Sequence, residues 1–349
     1  MSELLYIALK QYCRVALWFY FKKWQTNILS PIPTGPVIFV ANHQNAFLDA
    51  VLVGCSTNRN PWFLARANVF EKKWAQTVLG WLKMKPVFRF RDGFGTLRKN
   101  DEMVDSCVEL LKHNESILIF AEGNHDERWH LRALQKGFAR ISLAAVEKNV
   151  DVKIVPVGIQ YEAHAMAGSR VLVSFGESFS VNELTREEID PRKKAELILE
   201  KTSNAIKPLL LDIPLIDYEK RVAYFLNHRI IKKDLVHQLA IDQNLILKYE
   251  TESFVQQKTK SGKSFRWNPI SMYFHINHFL PKSIIHWILE NKVNDDQFIG
   301  SLKFALGMVI VPLFYIIQTT IVLMVFNSKL IALVYFLSLP ITLLFKIRK

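Results

Sequence analysis

The chain has 349 residues, enough for one large domain or two ordinary ones with a substantial core. Half of the residues are hydrophobic and 12% are aromatic, which is rich for a soluble protein, and 45 Lys and Arg against 32 Asp and Glu favour anionic partners such as phospholipid headgroups, nucleic acid or phosphorylated substrates. The three cysteines, Cys13, Cys55 and Cys107, lie far apart with no Cys-x-x-Cys pair, which excludes a disulfide framework and a cysteine zinc site and fits a reducing, cytoplasmic setting.

Residues 4–21 are largely apolar but carry Lys10 and Arg14, which are four apart and so share a helical face, and the run ends at Lys22 and Lys23. The pattern predicts a helix lying in a membrane interface; a core helix with one solvated edge is the alternative. No basic leading region or small-residue cleavage site is present, so a cleaved signal peptide is not expected. Short β-branched runs at 37–40, 117–120, 153–157 and 171–175 read as strands, and 101–112 and 136–148 read as helices. Residues 185–294 are mainly helical and charged, with breaks at Pro208, Pro214 and Pro269.

Residues 304–326 carry no charge, and about 23 residues at about 1.5 Å each suffice to cross a hydrocarbon core of about 30 Å. A second apolar run, 330–345, covers only about 24 Å and contains Pro340, so it crosses short or dips. Lys303 precedes the pair and Lys346, Arg348 and Lys349 follow it, whereas the turn between holds only Lys329. The positive-inside rule then puts both ends of a hairpin in the cytoplasm; two buried core helices are the competing reading.

The chemistry-bearing residues fall in four blocks. The first strand runs into Ala41-Asn42-His43-Gln44-Asn45-Ala46-Phe47-Leu48-Asp49, where a neutral His43 can give its second nitrogen to the Asp49 carboxylate and act as a base. In Val87-Phe88-Arg89-Phe90-Arg91 the two arginines share a face of an extended segment and can grip a phosphate. Phe120-Ala121-Glu122-Gly123-Asn124-His125-Asp126 ends another strand in a Glu-Gly turn that brings backbone N–H groups and a carboxylate together, and Lys136 opens the helix beyond. Ile154-Val155-Pro156-Val157-Gly158 closes a strand on a proline able to shape an apolar wall. The metal-like spacing of His275 and His278 has no acid or cysteine cluster beside it, so no metal is expected. The basic residues are dispersed beside apolar runs, which argues against nucleic acid and leaves Lys258, Lys260, Lys263 and Arg266 as candidates for anionic headgroups.

In this order the four blocks resemble those of the glycerolipid acyltransferases, the enzymes that make lysophosphatidate and phosphatidate; the resemblance covers residues 31–181. It implies that His43 deprotonates the acceptor hydroxyl, that Asp49 orients its ring, that Arg89 or Arg91 with Glu122 and Gly123 hold the glycerol phosphate, and that Pro156 lines the acyl side. No cofactor is implied beyond the acyl donor, acyl-CoA or acyl carrier protein. Three departures stand out. The family usually leaves four residues between His and Asp, and here there are five, Gln44 to Leu48, so the turn must bulge. The usual Pro-Glu-Gly-Thr-Arg reads Ala121-Glu122-Gly123-Asn124-His125, and loss of that arginine shifts phosphate binding toward Arg89, Arg91 or Lys136. The His125-Asp126 pair instead resembles some glycerol-3-phosphate and dihydroxyacetone-phosphate acyltransferases.

The expected protein is an α/β domain, a glycerolipid-acyltransferase-like mixed sheet flanked by helices. Its expected parts are an interfacial helix over 1–30, a catalytic core over 31–184, a mainly helical region over 185–299 and a transmembrane hairpin over 300–349. Such a protein sits in a membrane with its catalytic domain on the cytoplasmic side. Its expected partners are the bilayer, a thioester donor and a lysophosphatidate-type acceptor. Glycerol 3-phosphate or another lysophospholipid is the alternative acceptor, and a lipid-binding protein that kept the fold without the activity is the alternative class.

Overall fold

A computed structural model describes residues 2–87, 96–249, 269–293 and 295–348. Arg89 and Arg91, and the basic residues between 258 and 266, lie outside the described residues. The strands are β1 (Lys23–Ile28), β2 (Val37–Ala41), β3 (Trp62–Arg66), β4 (Met84–Val87), β5 (Ser116–Phe120), β6 (Lys153–Tyr161), β7 (Arg170–Phe175) and β8 (Phe179–Ser180). They form one mixed sheet in the order β1-β7-β6-β2-β5-β3-β4, with β8 pairing with β6. From β6 to β4 neighbours run parallel; β7 is antiparallel to β6, and β1 is parallel to β7.

The twelve helices among the described residues are α1 (Ser2–Tyr20), α2 (Ala46–Ser56), α3 (Lys73–Trp81), α4 (Thr96–Lys112), α5 (Gly137–Glu147), α6 (Val181–Thr185), α7 (Pro191–Ile206), α8 (Tyr218–His228), α9 (Leu235–Lys248), α10 (Pro269–Lys292), α11 (Ile299–Phe326) and α12 (Lys329–Arg348). Strand β2 is entirely apolar because both of its faces are covered, as a central parallel strand requires. Val37, Phe39 and Ala41 pack with Leu17 and Phe21 from the N-terminal segment and with Leu48 and Leu52 of α2. Ile38 and Val40 pack with Val108 of α4, Phe138 of α5 and Ile198 of α7. Gly158 is the point of closest approach to the segment after α7: a Cβ there would lie 2.4 Å from that of Leu209.

Two sequence expectations change. The basic face of α1 turns inward, against the end of α2. Lys10 is buried and donates to the carbonyls of Thr57 and Arg59 at 2.9 and 3.0 Å, and Arg14 donates to Cys55 at 3.0 Å. Carbonyls left unpaired at a helix C-terminus attract cations, which explains the inversion; burial holds the Lys10 ammonium down at about 8. The outward face of α1 is therefore apolar, with Leu5, Val15 and Trp18 exposed. The second change concerns boundaries: β1 lies inside the 1–30 segment yet pairs with β7, so the sheet begins before residue 31.

Helices α11 and α12 are long and apolar enough to cross a membrane, and only 6% and 11% of their apolar windows are buried, which sets them apart from core helices. The turn between them uses Asn327 in the left-handed conformation, φ +46°. Helix α10 joins them: His278 Nε2 meets the Tyr315 hydroxyl at 2.7 Å, Tyr335 donates to the Asn277 side chain at 2.5 Å, and the Tyr273 and Ser338 hydroxyls meet at 2.6 Å. The hairpin is thus joined to α10 in a three-helix group by a polar seam.

Candidate active site

The site forms at the carboxyl ends of β2, β5 and β6. Residue Ala41 pairs with Phe120 on one side and Val157 on the other, so whatever follows β2 emerges between these strands. Asn42 prolongs the ladder with its side chain, donating to the Ile159 carbonyl at 3.0 Å and accepting the Ile159 N–H at 2.7 Å. His43 is thereby fixed two residues beyond the end of β2, its ring stacked on Phe120 at 4.2 Å.

Asp49 sits in the first turn of α2, where the N-terminal helix dipole favours a carboxylate. It is fully buried and accepts four hydrogen bonds. His43 Nδ1 meets Oδ2 at 2.8 Å, the backbone N–H groups of Gln44 and Asn45 donate to the same oxygen at 2.7 and 2.8 Å, and the Tyr161 hydroxyl donates to Oδ1 at 2.7 Å. The predicted bulge is present: Ala46 takes φ +37°, unusual for a residue with a Cβ, and this lets five intervening residues curl back. The His43 side chain stays 16% exposed while that of Asp49 is fully enclosed, so one partner faces the outside and the other orients it.

Gly123 has φ +82°, the left-handed turn its lack of a Cβ permits. The Glu122 carboxylate points inward, accepting the His43 N–H at 3.0 Å, the Arg132 N–H at 3.0 Å and the Arg132 guanidinium at 2.8 Å. Burial pushes the Glu122 carboxyl up, and Arg132 offsets this only in part. What Glu122 grips is therefore the backbone of His43 and the side chain of Arg132. Arg132 also donates to the Asn124 carbonyl, and its Nε is buried with no partner among the described residues. Arg132 carries no sequence signal, lying ten residues past Glu122 in a segment without periodicity; only the folded loop brings it to the site. Tyr161 was missed for the same kind of reason, since nothing in the pattern of β6 marks its last residue.

The remaining predicted residues are placed less centrally. Lys136 is exposed just before α5, next to Gln135, whose N–H donates to Ala121 at 2.7 Å. Pro156 is buried inside β6 opposite Val40, and its carbonyl accepts the Gly176 N–H at 2.8 Å. His125 contacts the His43 ring edge-on at 5.4 Å, and burial followed by the nearby His43 lowers its pKa. A surface cleft of about 680 Å³, lined by Pro36, Asn114 and Lys153 among others, opens at the opposite ends of the same strands.

Fold and site together define an α/β domain with a carboxylate-bound, partly exposed histidine at the end of its central parallel strand. Comparison with known proteins finds similarity over part of this domain. Residues 24–160 match the family model described as Acyltransferase. Glycerol-3-phosphate O-acyltransferase 1 of Saccharomyces cerevisiae is 34% identical over 135 residues, 36% of this chain and 18% of that protein. The chloroplastic 1-acyl-sn-glycerol-3-phosphate acyltransferase LPAT1 of Arabidopsis thaliana is 25% identical over 150 residues, 42% of this chain and 38% of that protein. The chain thus spans well under half the length of these two relatives. The crystal structure of the 1-acyl-sn-glycerophosphate acyltransferase PlsC from Thermotoga maritima superposes with a TM-score of 0.40 and 16% identity, over 58% of this chain and 80% of that one. Residues 24–160 are therefore similar to the acyltransferase domains of glycerolipid acyltransferases.

Proposed function

We propose that the protein transfers a fatty acyl group from an acyl thioester to a hydroxyl of a glycerol phosphate lipid precursor of the lysophosphatidate type, with His43 as general base. The observation that carries this reading is the 2.8 Å contact between His43 Nδ1 and Asp49 Oδ2. A buried carboxylate at Nδ1 favours the tautomer protonated there and leaves Nε2 as the basic nitrogen. Nε2 takes the acceptor hydroxyl proton as that oxygen attacks the thioester carbonyl carbon. The tetrahedral intermediate then expels the thiolate, which recovers the proton from His43, leaving an ester and a thiol. General-base assistance contributes about 10² to 10⁴ in rate, and positioning supplies much of the rest.

The acceptor phosphate is assigned to Arg132 and Lys136 beside the Glu-Gly turn, with Arg89 and Arg91 as further cationic candidates. The apolar wall near Pro156 is assigned to the acyl side, and the lysine and arginine bias around the hairpin favours a cytoplasmic catalytic face. Free glycerol 3-phosphate is the second reading of the acceptor, favoured by His125-Asp126 and by the 34% identity to a glycerol-3-phosphate acyltransferase. The intact His43–Asp49 contact argues against a lipid-binding protein without activity.

Purified protein in detergent, given a radiolabelled acyl donor with glycerol 3-phosphate, lysophosphatidate and lysophosphatidylcholine in parallel, tests both acceptor and activity. His43→Ala is expected to lower transfer by at least about 10³-fold in folded protein, by analogy with loss of a general base and its orientation. Turnover near wild type in that variant sinks the assignment.

A further inference from the structure

We propose that the first turn of α11, through Ser301, is a positioning element of the active site, so that the membrane helix itself sets the geometry of the His43–Asp49 pair. This rests on the general-base reading above.

The five-residue bulge between His43 and Asp49 needs support, because Ala46 is held in a conformation that residues with a Cβ rarely adopt. On its inner side the support is Asp49 itself. On its outer side it is α11. Ser301 is fully buried, its hydroxyl donates to the Asn45 carbonyl at 2.7 Å, and its oxygen accepts the Leu48 N–H at 3.1 Å. A single hydroxyl thus ties both ends of the strained turn.

The neighbours of Ser301 are fitted to the same place. A Cβ on Gly300 would lie 2.6 Å from the His164 carbonyl and 2.8 Å from the Asn45 amide, so the helix can approach this closely only with glycine there. Asn45 donates to that His164 carbonyl at 2.8 Å, Tyr20 donates to the Gly300 carbonyl at 3.2 Å, and Lys303 donates to the Ala165 carbonyl at 2.7 Å. One residue before the helix, the Phe298 ring meets His125 edge-on at 4.7 Å, and His125 in turn meets His43. From Ser301 to the exposed Val309 is about 12 Å along the helix, so the brace and the start of the apolar span, ahead of Pro312, share one helical segment.

The test uses the full chain in phosphatidylcholine nanodiscs. Ser301→Ala deletes the brace, and Thr320→Val deletes a hydroxyl of the same helix that, among the described residues, bonds to the Ile316 carbonyl within α11. Ser301→Ala is expected to lower kcat by about 10- to 100-fold with KM for donor and acceptor within about twofold of wild type, as misalignment of a catalytic base does; Thr320→Val is expected to change neither. Wild-type kcat in Ser301→Ala overturns the proposal, and so does an equal loss in Thr320→Val, which marks general weakening of the helix. Should Ser301→Ala not fold, Gly300→Ala decides: it keeps the hydroxyl and crowds Asn45, so a kcat loss at unchanged KM supports the brace and a wild-type kcat overturns it. If His43→Ala is inactive while Ser301→Ala is wild type, only this inference falls. If His43→Ala keeps turnover, the general-base reading falls first.

Discussion

Two histidines, His43 beyond β2 and His278 in the middle of α10, each have a hydrogen-bonded side-chain partner, and their surroundings differ in kind. His43 gives Nδ1 to a carboxylate and keeps part of its ring open to the outside. His278 is buried and spends both nitrogens, Nδ1 on the Phe274 carbonyl and Nε2 on the Tyr315 hydroxyl. The first arrangement leaves a basic nitrogen free for an incoming proton; the second closes a polar seam between helices and leaves nothing over. Burial and partnership alone do not mark a catalytic histidine. What sets His43 apart is a fully enclosed carboxylate on one nitrogen and access on the other; His130 also meets a carboxylate, Asp212, at 2.8 Å, but that carboxylate is 27% exposed.

The carboxylate is the most direct place to break this comparison. Asp49→Asn preserves shape while removing the charge that selects the Nδ1–H tautomer, and the amide must present an N–H to at least one of the four donors that now converge on Asp49. A loss of about 10² to 10⁴ in kcat is expected, in line with the same substitution behind other catalytic histidines. Steady-state kinetics on protein of unchanged circular dichroism checks it; kcat within a few-fold of wild type removes the distinction between the two histidines.

The central strands and the hairpin were legible because their signals are local. Four β-branched runs matched β2, β5, β6 and β7, and the charge-free run at 304–326 lies within α11. Strands β1, β3 and β4 were not read, since Lys23–Ile28 and Met84–Val87 are polar or interrupted and become strands only by pairing at the two sides of the sheet. In the site, His43 and Asp49 could be paired from spacing because six positions is the reach of one turn and a bulge. Tyr161 and Ser301 lie 112 and 252 positions from Asp49 in the chain and carry no spacing signal at all. The inversion of α1 was illegible for a related reason: a Lys–Arg face reads as headgroup-facing until the carbonyls of α2 it caps are known.

The other side of the comparison predicts a change in stability without one in chemistry. His278→Leu leaves the Tyr315 hydroxyl without its ring partner between α10 and α11. Interhelical hydrogen bonds of this kind contribute about 0.6 kcal/mol on average and up to about 1.7. Unfolding in mixed detergent is expected to shift by that amount while kcat stays at the wild-type value. A fall in kcat matching that of Asp49→Asn would mean the seam is coupled to the site.

A third histidine supplies the intermediate case and the smallest effect. His164 lies behind the His43–Asp49 pair, only 8% exposed, with its ring 5.0 Å from Tyr161 and 6.3 Å from Trp129, and its Nε2 has no partner among the described residues. Burial holds its pKa down at about 4, against the opposing pull of Asp49 and Asp126. In the unfolded chain the same ring titrates near about 6.5. Above that pH both states hold it neutral and the folded protein keeps its full stability. As pH falls from about 6.5 toward 4, the unfolded chain binds a proton that the folded one does not, so stability declines through this window and the loss is complete once the folded ring also titrates. His164→Leu removes the titration and keeps an apolar side chain between Tyr161 and Trp129. The decline of Tm between pH 6.5 and 4 is therefore expected to be shallower in this variant, the carboxylates contributing equally to both proteins, and superimposable Tm–pH curves would show that His164 is solvated in the folded state.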